Sequence, residues 1–287
     1  MLPEPPIATT LLGRERGGAV AMNSEEHLAT QLQAIAESIA RDAAVRVEEA
    51  PPHLAVATES KSSEADVVTA TDKAVELFIR EQINLARPGD SIMGEEGQDH
   101  RGTSGVEWVI DPIDGTVNFT YGIPAYAVSI GVRVDGQPTV GVVVNASTAA
   151  IYSARAGGEA SRNGMRVAAR EPESPGLALI ATGFGYDASL RAQQGACVAS
   201  LLPIVRDIRR IGSCALDLCG VAEGSVNGYV EEGPHLWDYA AGQVIAAAAG
   251  ARFDIGTSPR GKPVIHAAPT GYFSYFQDLL GECGFIV

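Results

Sequence analysis

Trp108-Val109-Ile110-Asp111-Pro112-Ile113-Asp114-Gly115-Thr116-Val117-Asn118-Phe119 is the most informative segment of the chain. An apolar run suited to a buried strand ends abruptly at an acid. Pro112 has no N–H to give to a sheet and pushes Asp111 toward an extended conformation. Gly115 permits a positive φ, so the chain turns here with both Asp side chains held rigidly. Two carboxylates three residues apart then converge, with the Ile113 carbonyl between them as a further oxygen donor. Side by side without a cation they would repel and one would take up a proton; a divalent metal removes that cost, and hard oxygen ligands suit Mg²⁺. The N–H groups of Gly115 and Thr116 would open a new helix, a natural place for a phosphate oxygen. A lone Asp-Pro is only a turn, so the reading depends on what accompanies it.

Upstream, a second short apolar run, Ser91-Ile92-Met93, leads into Gly94-Glu95-Glu96-Gly97. On its own such a pair of acids is a solvated loop. Farther upstream, Val67-Val68-Thr69-Ala70-Thr71-Asp72 precedes Val75, Phe78, Ile79 and Ile83 at helical spacing, which predicts a helix with Asp72 near its N-terminus and Pro88-Gly89 at its end. Downstream, His235-Leu236-Trp237-Asp238-Tyr239-Ala240-Ala241-Gly242 sets an acid at the start of a small-residue helix, where on its own it reads as an N-terminal acid complementing the helix dipole.

The rest of the chain supplies the frame. Leu28, Leu32, Ile35, Ile39, Ala43 and Val47 predict a long amphipathic helix from Ser24 to just before Pro51-Pro52. Residues 125–134 and 139–144, joined by Asp135-Gly136-Gln137-Pro138 and extended by Ile151-Tyr152-Ser153, read as an antiparallel meander. Beyond Pro175 the texture alternates: strands at 177–182, 204–208 and 229–230, and helices at 188–202, 215–223 and 237–249, which means helices layered on a sheet. Residues 1–22 are expected to be a disordered leader, with Met22 a candidate start. The remainder divides near residue 172 into an N-terminal half (23–172) with the acidic motifs and a C-terminal half (173–287), together one compact catalytic unit.

Composition narrows the function classes. With 21 Lys+Arg against 35 Asp+Glu, the chain carries a net charge of −14 over 287 residues, the opposite of the clustered basic surface that nucleic-acid binding requires. Four cysteines without Cys-x-x-Cys spacing argue against both a disulfide scaffold and a zinc site, and a reducing, cytoplasmic setting is expected. No apolar run approaches the roughly 20 residues of a membrane span. His235 beside Trp237-Asp238 suggests a hydrolase triad, but no Gly-x-Ser-x-Gly elbow accompanies it.

Taken together, Asp66 to Asp72, Gly94-Glu95-Glu96, Trp108 to Phe119 and Trp237-Asp238-Tyr239-Ala240-Ala241-Gly242 resemble, in order, the motifs of the inositol monophosphatase family, a branch of the lithium-sensitive, Mg²⁺-dependent phosphatases. Ile208 to Cys219 and Asn227 to Glu231 are similar to the substrate-side segments of its bacterial branch. The resemblance implies an α/β (α+β) chain built as a layered α-β-α-β-α sandwich of the inositol monophosphatase and fructose-1,6-bisphosphatase type, and a homodimer. It implies two or three Mg²⁺ per site: Glu95, Asp111 and the Ile113 carbonyl on one, Asp111, Asp114 and Asp238 on a second, with Glu96 and Asp72 just outside. Thr116, bonded to Asp72, would orient the attacking water, while Gly115 and Thr116 cradle the phosphate. Ser213, Cys214, Glu231 and Asp238 would face the alcohol, and Lys61 matches a family lysine near the site. The implied reaction is hydrolysis of myo-inositol 1-phosphate without a covalent intermediate.

Cys214, where the family commonly has Ala, and the acidic loop Glu231-Glu232-Gly233-Pro234 leave the preferred alcohol open among phosphorylated polyols. Rival substrates are fructose 1,6-bisphosphate, histidinol phosphate and 3′-phosphoadenosine nucleotides. The first needs a cationic pocket for its second phosphate, of which the 231–235 loop offers little. A rival of another class is a non-catalytic interaction protein that retains the fold; a carboxylate cluster without a metal would be an electrostatic burden there.

Overall fold

The computed structural model describes residues 24–50, 59–60, 67–68 and 70–287. The expected leader, Lys61, Asp66 and the Pro51-Pro52 helix stop lie outside the described residues.

Helix α1 (Ser24–Glu49) buries Leu32, Ala36, Ile39, Ala43 and Val47, one face at the 3.6-residue period, with Glu25 and Glu26 in its first turn. A short strand pair, β1 (Glu59–Ser60) and β2 (Val67–Val68), precedes helix α2 (Ala70–Ala86). The buried face of α2 holds Val75, Ile79 and Ile83 together with two acids, Asp72 and Glu76.

The first large sheet has seven strands in chain order: β3 (Ser91–Gly94), β4 (Val106–Asp114), β5 (Ala127–Val134), β6 (Gln137–Asn145), β7 (Ala150–Arg155), β8 (Ser161–Arg162) and β9 (Met165–Arg166). β3 and β4 are parallel and the others form the antiparallel meander expected from the sequence. A six-residue helix, α3 (Thr116–Tyr121), opens where Gly115 turns the chain at φ 95°.

The second sheet is mixed, in the order β11-β10-β12-β14-β13. Its strands are β10 (Leu179–Thr182), β11 (Asp207–Arg209), β12 (Gly228–Glu232), β13 (Ala251–Thr257) and β14 (Pro263–Pro269). β10 pairs in parallel with β11 and β12 through helix α4 (Ala188–Leu201) and helix α5 (Cys214–Glu223). β12, β14 and β13 pair antiparallel. Helix α6 (Leu236–Ala248) precedes β13, and α7 (Thr270–Glu282) follows β14. Two of the expected strands are shorter than read: Pro175–Leu177 forms a 3-10 turn, and the strand anticipated at 204–208 begins only at Asp207.

Four apolar cores separate five layers. α1 and α2 pack on one face of the seven-stranded sheet through Leu32, Ile39, Ile79, Trp108, Ile110, Ile130 and Val142. Its other face meets α5 and α6 through Ala127, Val143, Ala215, Cys219, Ala241 and Ile245. Those same helices present Leu218, Val221 and Ala246 to Tyr229, Ile265 and Ala267 of the second sheet. That sheet's far face is covered by α4 and α7 through Ile180, Val230, Leu201, Phe273, Phe276 and Leu280. The result is an α-β-α-β-α sandwich with α5 and α6 as its middle layer. All four cysteines are buried and unbridged. Among the described residues no helix is long and apolar enough to cross a membrane.

Candidate active site

The geometry of the site begins with a break in pleat parity. Along β4, Val106, Trp108 and Ile110 face the outer core, so alternation would send residue 112 there next. Instead the register against β5 shifts between Asp111 and Asp114, and Ile113 takes the outward-core position. Pro112 is thus the extra residue of a bulge, a place where its missing N–H costs no ladder bond. The shift lets two carboxylates three apart, which a regular strand would send to opposite faces, both turn toward the middle helices. Asp111 accepts from the Ile113 N–H at 3.0 Å. Asp114 caps α5, accepting from the Ser213 hydroxyl at 2.5 Å and the Ala215 N–H at 2.7 Å.

Other elements bring their acids to the same cleft, of about 630 Å³, lined by Glu95, Asp111, Ile113, Asp114, Gly115, Thr116, Ser213, Cys214, Glu231 and Asp238 among others. Asp238 lies in the first turn of α6 and accepts from the His235 N–H at 2.6 Å, which also fulfils the helix-capping alternative. Glu231 reaches the cleft from β12 and accepts a bond from the Tyr229 hydroxyl. Asp72 and Glu96 do not line it. Asp72 is fully buried behind Thr116, whose Oγ1 lies 3.2 Å from Asp72 Oδ1 and 3.0 Å from the Ile113 carbonyl. Glu96 sits on the loop after β3, its N–H donated to Glu76.

Electrostatics express the convergence. Burial pushes the Asp111 carboxyl well above its usual range, and the neighbouring acids Glu95, Asp114 and Asp238 push it further, with Glu95 within hydrogen-bonding reach. Asp238 is raised in the same way, by burial and then by Asp114 and Glu95. Asp114 is raised to about 7 by burial, against the bonds from Ser213 and Ala215. Carboxyl groups that raise one another in a cleft mark a site that handles positive charge. Among the described residues no three such side chains are gathered tightly enough to hold an ion as they stand. Asp111, Asp114 and Asp238 are each engaged with a donor of their own neighbourhood, so they line a cleft instead of closing a cage. The donor set nevertheless fits a hard divalent cation: it is made of carboxylate oxygens and the Ile113 carbonyl, with Asp111 and Asp114 buried and Glu95 and Asp238 half-buried, and the Cys214 thiol beside them is pushed well above its usual range by burial and by the acids around it.

The structure adds residues that the sequence did not single out. Asp217 on α5 is buried at the cleft with its Oδ1 unpartnered, and burial followed by Glu231 and Asp114 raises it well above the carboxylate range. Its signal in the sequence is weak, one of two acids, with Glu223, in an otherwise apolar helix. Arg210 and Lys262 line the same cleft, so cationic groups do stand near the acidic 231–235 loop, against expectation. Glu232 does not face the cleft as a free charge; it is bound by Arg260 at 2.8 Å. His235 stacks on Trp237 with centroids 4.7 Å apart.

Comparison with known proteins places this architecture. The sequence model described as the inositol monophosphatase family matches residues 28–272. Inositol-1-monophosphatase SuhB of Mycobacterium tuberculosis is 46% identical over 228 residues, covering 74% of this chain and 78% of its own. A protein named Nus factor SuhB, from Pasteurella multocida, is 41% identical over 187 residues, 64% of this chain and 70% of its own. The solved structure of Mycobacterium tuberculosis SuhB superimposes with a TM-score of 0.77 at 39% identity, covering 90% of this chain and 99% of that one. An inositol monophosphatase from Thermotoga maritima gives 0.75 at 26% identity, over 90% and 98% of the two chains. Agreement of this extent, in sequence along most of the chain and in the order of the layers, makes this chain a member of the inositol monophosphatase family, a family of phosphatases.

Proposed function

We propose that this chain hydrolyses phosphate monoesters of small polyols, with myo-inositol 1-phosphate as the preferred substrate and Mg²⁺ as cofactor. The observation that carries the reading is the meeting of Glu95, Asp111, Asp114 and Asp238 in one cleft with the Thr116–Asp72 pair behind it. Glu95, Asp111, the Ile113 carbonyl, Asp114 and Asp238 would hold the metal. When bound, a divalent cation neutralises phosphate charge and makes water a far stronger acid. The chain's own residues do the rest. Thr116 gives its proton to Asp72 or to the Ile113 carbonyl, which leaves its lone pairs to accept from, and so orient, the attacking water. The N–H groups of Gly115 and Thr116, at the start of α3, have no partner within that helix by position and suit phosphate oxygens. Glu231 and the α5 start at Ser213 and Cys214 offer acceptors and a shaped wall to sugar hydroxyls.

Phosphate release from myo-inositol 1-phosphate, compared with fructose 1,6-bisphosphate, histidinol phosphate and 3′-phosphoadenosine nucleotides, tests the assignment. Preference for inositol 1-phosphate supports it. The second reading, a substrate with a second anionic group, is favoured by Arg210 and Lys262 in the cleft, and higher kcat/KM on the bisphosphate or the nucleotides would establish it instead.

A further inference from the structure

We infer that Glu76, held by Arg80, is the positioning residue that fixes the Gly94-Glu95-Glu96-Gly97 loop and thereby presents Glu95 to the metal. The inference rests on the proposal that Glu95 is a metal ligand.

Glu76 is an acid on the buried face of α2, with only 2% of its surface exposed. A charge so deeply placed needs partners, and all of its partners belong to the loop or to Arg80. Its Oε2 accepts from the Glu96 N–H at 2.7 Å and its Oε1 from the Gly97 N–H at 2.8 Å. These are charge-assisted bonds to two consecutive amides, roughly twice as strong as neutral ones. Arg80, one turn along the helix, donates through Nε to Glu76 Oε1 at 2.7 Å and reaches past the loop to the Gln98 carbonyl at 3.1 Å. Three consecutive residues, 96–98, are therefore bonded to a helix-borne carboxylate-guanidinium pair immediately after Glu95.

The same geometry gives a physical reason for the glycines on either side of the acids. A Cβ on Gly94 would lie 2.6 Å from Glu76 Oε1, and one on Gly97 would lie 2.8 Å from it. The carboxylate occupies the space a side chain would need. One turn before Glu76 on the same buried face, Asp72 meets Thr116. Helix α2 thus sets the loop carrying Glu95 and the turn carrying Thr116 against one rigid edge, 3.6 residues to the turn. Positional errors of about 1 Å in such ligands are costly, which is why a backbone clamp matters.

The test is Mn²⁺ binding, read from the electron paramagnetic resonance signal of the free ion, on Glu76→Ala, Glu76→Gln, Gly94→Ala and a control, Leu279→Ala, which weakens the distant core beneath α7. Thermal melts of all four report their folding. The expected result is that Glu76→Ala and Gly94→Ala raise the Mn²⁺ Kd about tenfold or more, and that Glu76→Gln, which keeps one acceptor but turns an amide N–H toward at least one of the three donors, raises it about threefold to tenfold. Leu279→Ala melts lower and binds as the wild type does. Should Glu76→Ala not fold, Glu76→Gln decides: a Kd equal to wild type overturns the positioning role. A fall in affinity in Leu279→Ala equal to that in the loop variants also overturns it, since general loosening would then suffice. Wild-type protein that binds no Mn²⁺ refutes instead the metal reading on which the inference stands.

Discussion

At the scale of single residues, two side chains carry most of the proposed chemistry by different means. Asp111 is buried among acids that raise one another, and its neutral isostere relieves that repulsion without changing shape. Asp111→Asn is therefore expected to stay folded while turnover falls by at least about a hundredfold, the weight of the several kcal/mol that a correctly held cation supplies. Phosphate release and far-UV circular dichroism on the same sample check both halves, and near-normal turnover would remove Asp111 from the metal site. Thr116 acts through its hydroxyl alone: Thr116→Val keeps the volume but loses the bonds to Asp72 and Ile113. A drop in kcat of about a hundredfold is expected, at the low end for a positioned proton relay, with Thr116→Ser restoring most of it. Equal rates in Val and Ser variants would exclude the hydroxyl.

Among elements, α6 decides whether Asp238 reaches the cleft. The helix packs directly on the seven-stranded sheet over Gly131 and Gly141, cross-strand partners on β5 and β6 that leave room for its backbone. A Cβ on Gly141 would stand 2.2 Å from the Ala241 carbonyl oxygen, and one on Gly131 would stand 2.7 Å from the Ala240 Cβ. Backbone cannot yield as a side-chain tip can, so Gly141→Ala should shift α6, cost about 1–3 kcal/mol as overpacking does, and weaken Mn²⁺ binding with it. Unchanged melting and affinity would contradict this account. A second clip joins α2, β3 and β4 away from the cleft. Asp90 accepts from Arg87 at 2.8 Å, Ser104 at 2.7 Å and Trp108 Nε1 at 2.9 Å. Burial works to raise its pKa, but these bonds outweigh it and hold the group below the usual carboxylate range. A folded-state pKa below the unfolded one adds stability that is full above the unfolded value, near 4, and is lost as pH falls through the folded value. The stability gap between wild type and Asp90→Asn, measured by urea unfolding, should therefore be constant above about pH 5 and narrow below about pH 4; a gap that widens there would reverse the sign.

For the whole molecule, what was legible in the sequence follows from how local its causes are. The period of Leu32, Ile39 and Val47 and the abrupt end of the 108–110 run at Asp111 are written in neighbours, and both gave the right elements. β13 and β14 are not legible in the sequence, because Ala251 to Pro269 mixes small, apolar and charged residues and takes its order from β14 pairing with β12 and β13, whereas α7 does carry a local signal in Tyr272, Phe273, Phe276 and Leu280 at helical spacing. Glu76 looks like an ordinary helix acid until the loop 20 residues away is seen upon it. Asp217 is likewise decided by burial that only the middle layer creates. Both are tertiary facts. The same layering yields a last prediction. The proposed ligands come from the loop after β3, from β4 and from α6, elements of three different positions in the sandwich, so they are together only in the folded chain. An ion that binds the native state alone stabilises it by mass action, about 2.7 kcal/mol at a concentration one hundred times its Kd, which for a chain of this size is roughly a 5 °C rise in Tm. Adding Mg²⁺ to chelator-treated protein should produce that rise and EDTA should reverse it, while Asp111→Asn should show most of it gone. A Tm indifferent to Mg²⁺ at millimolar concentration would mean that the acids of this cleft serve something other than a divalent cation.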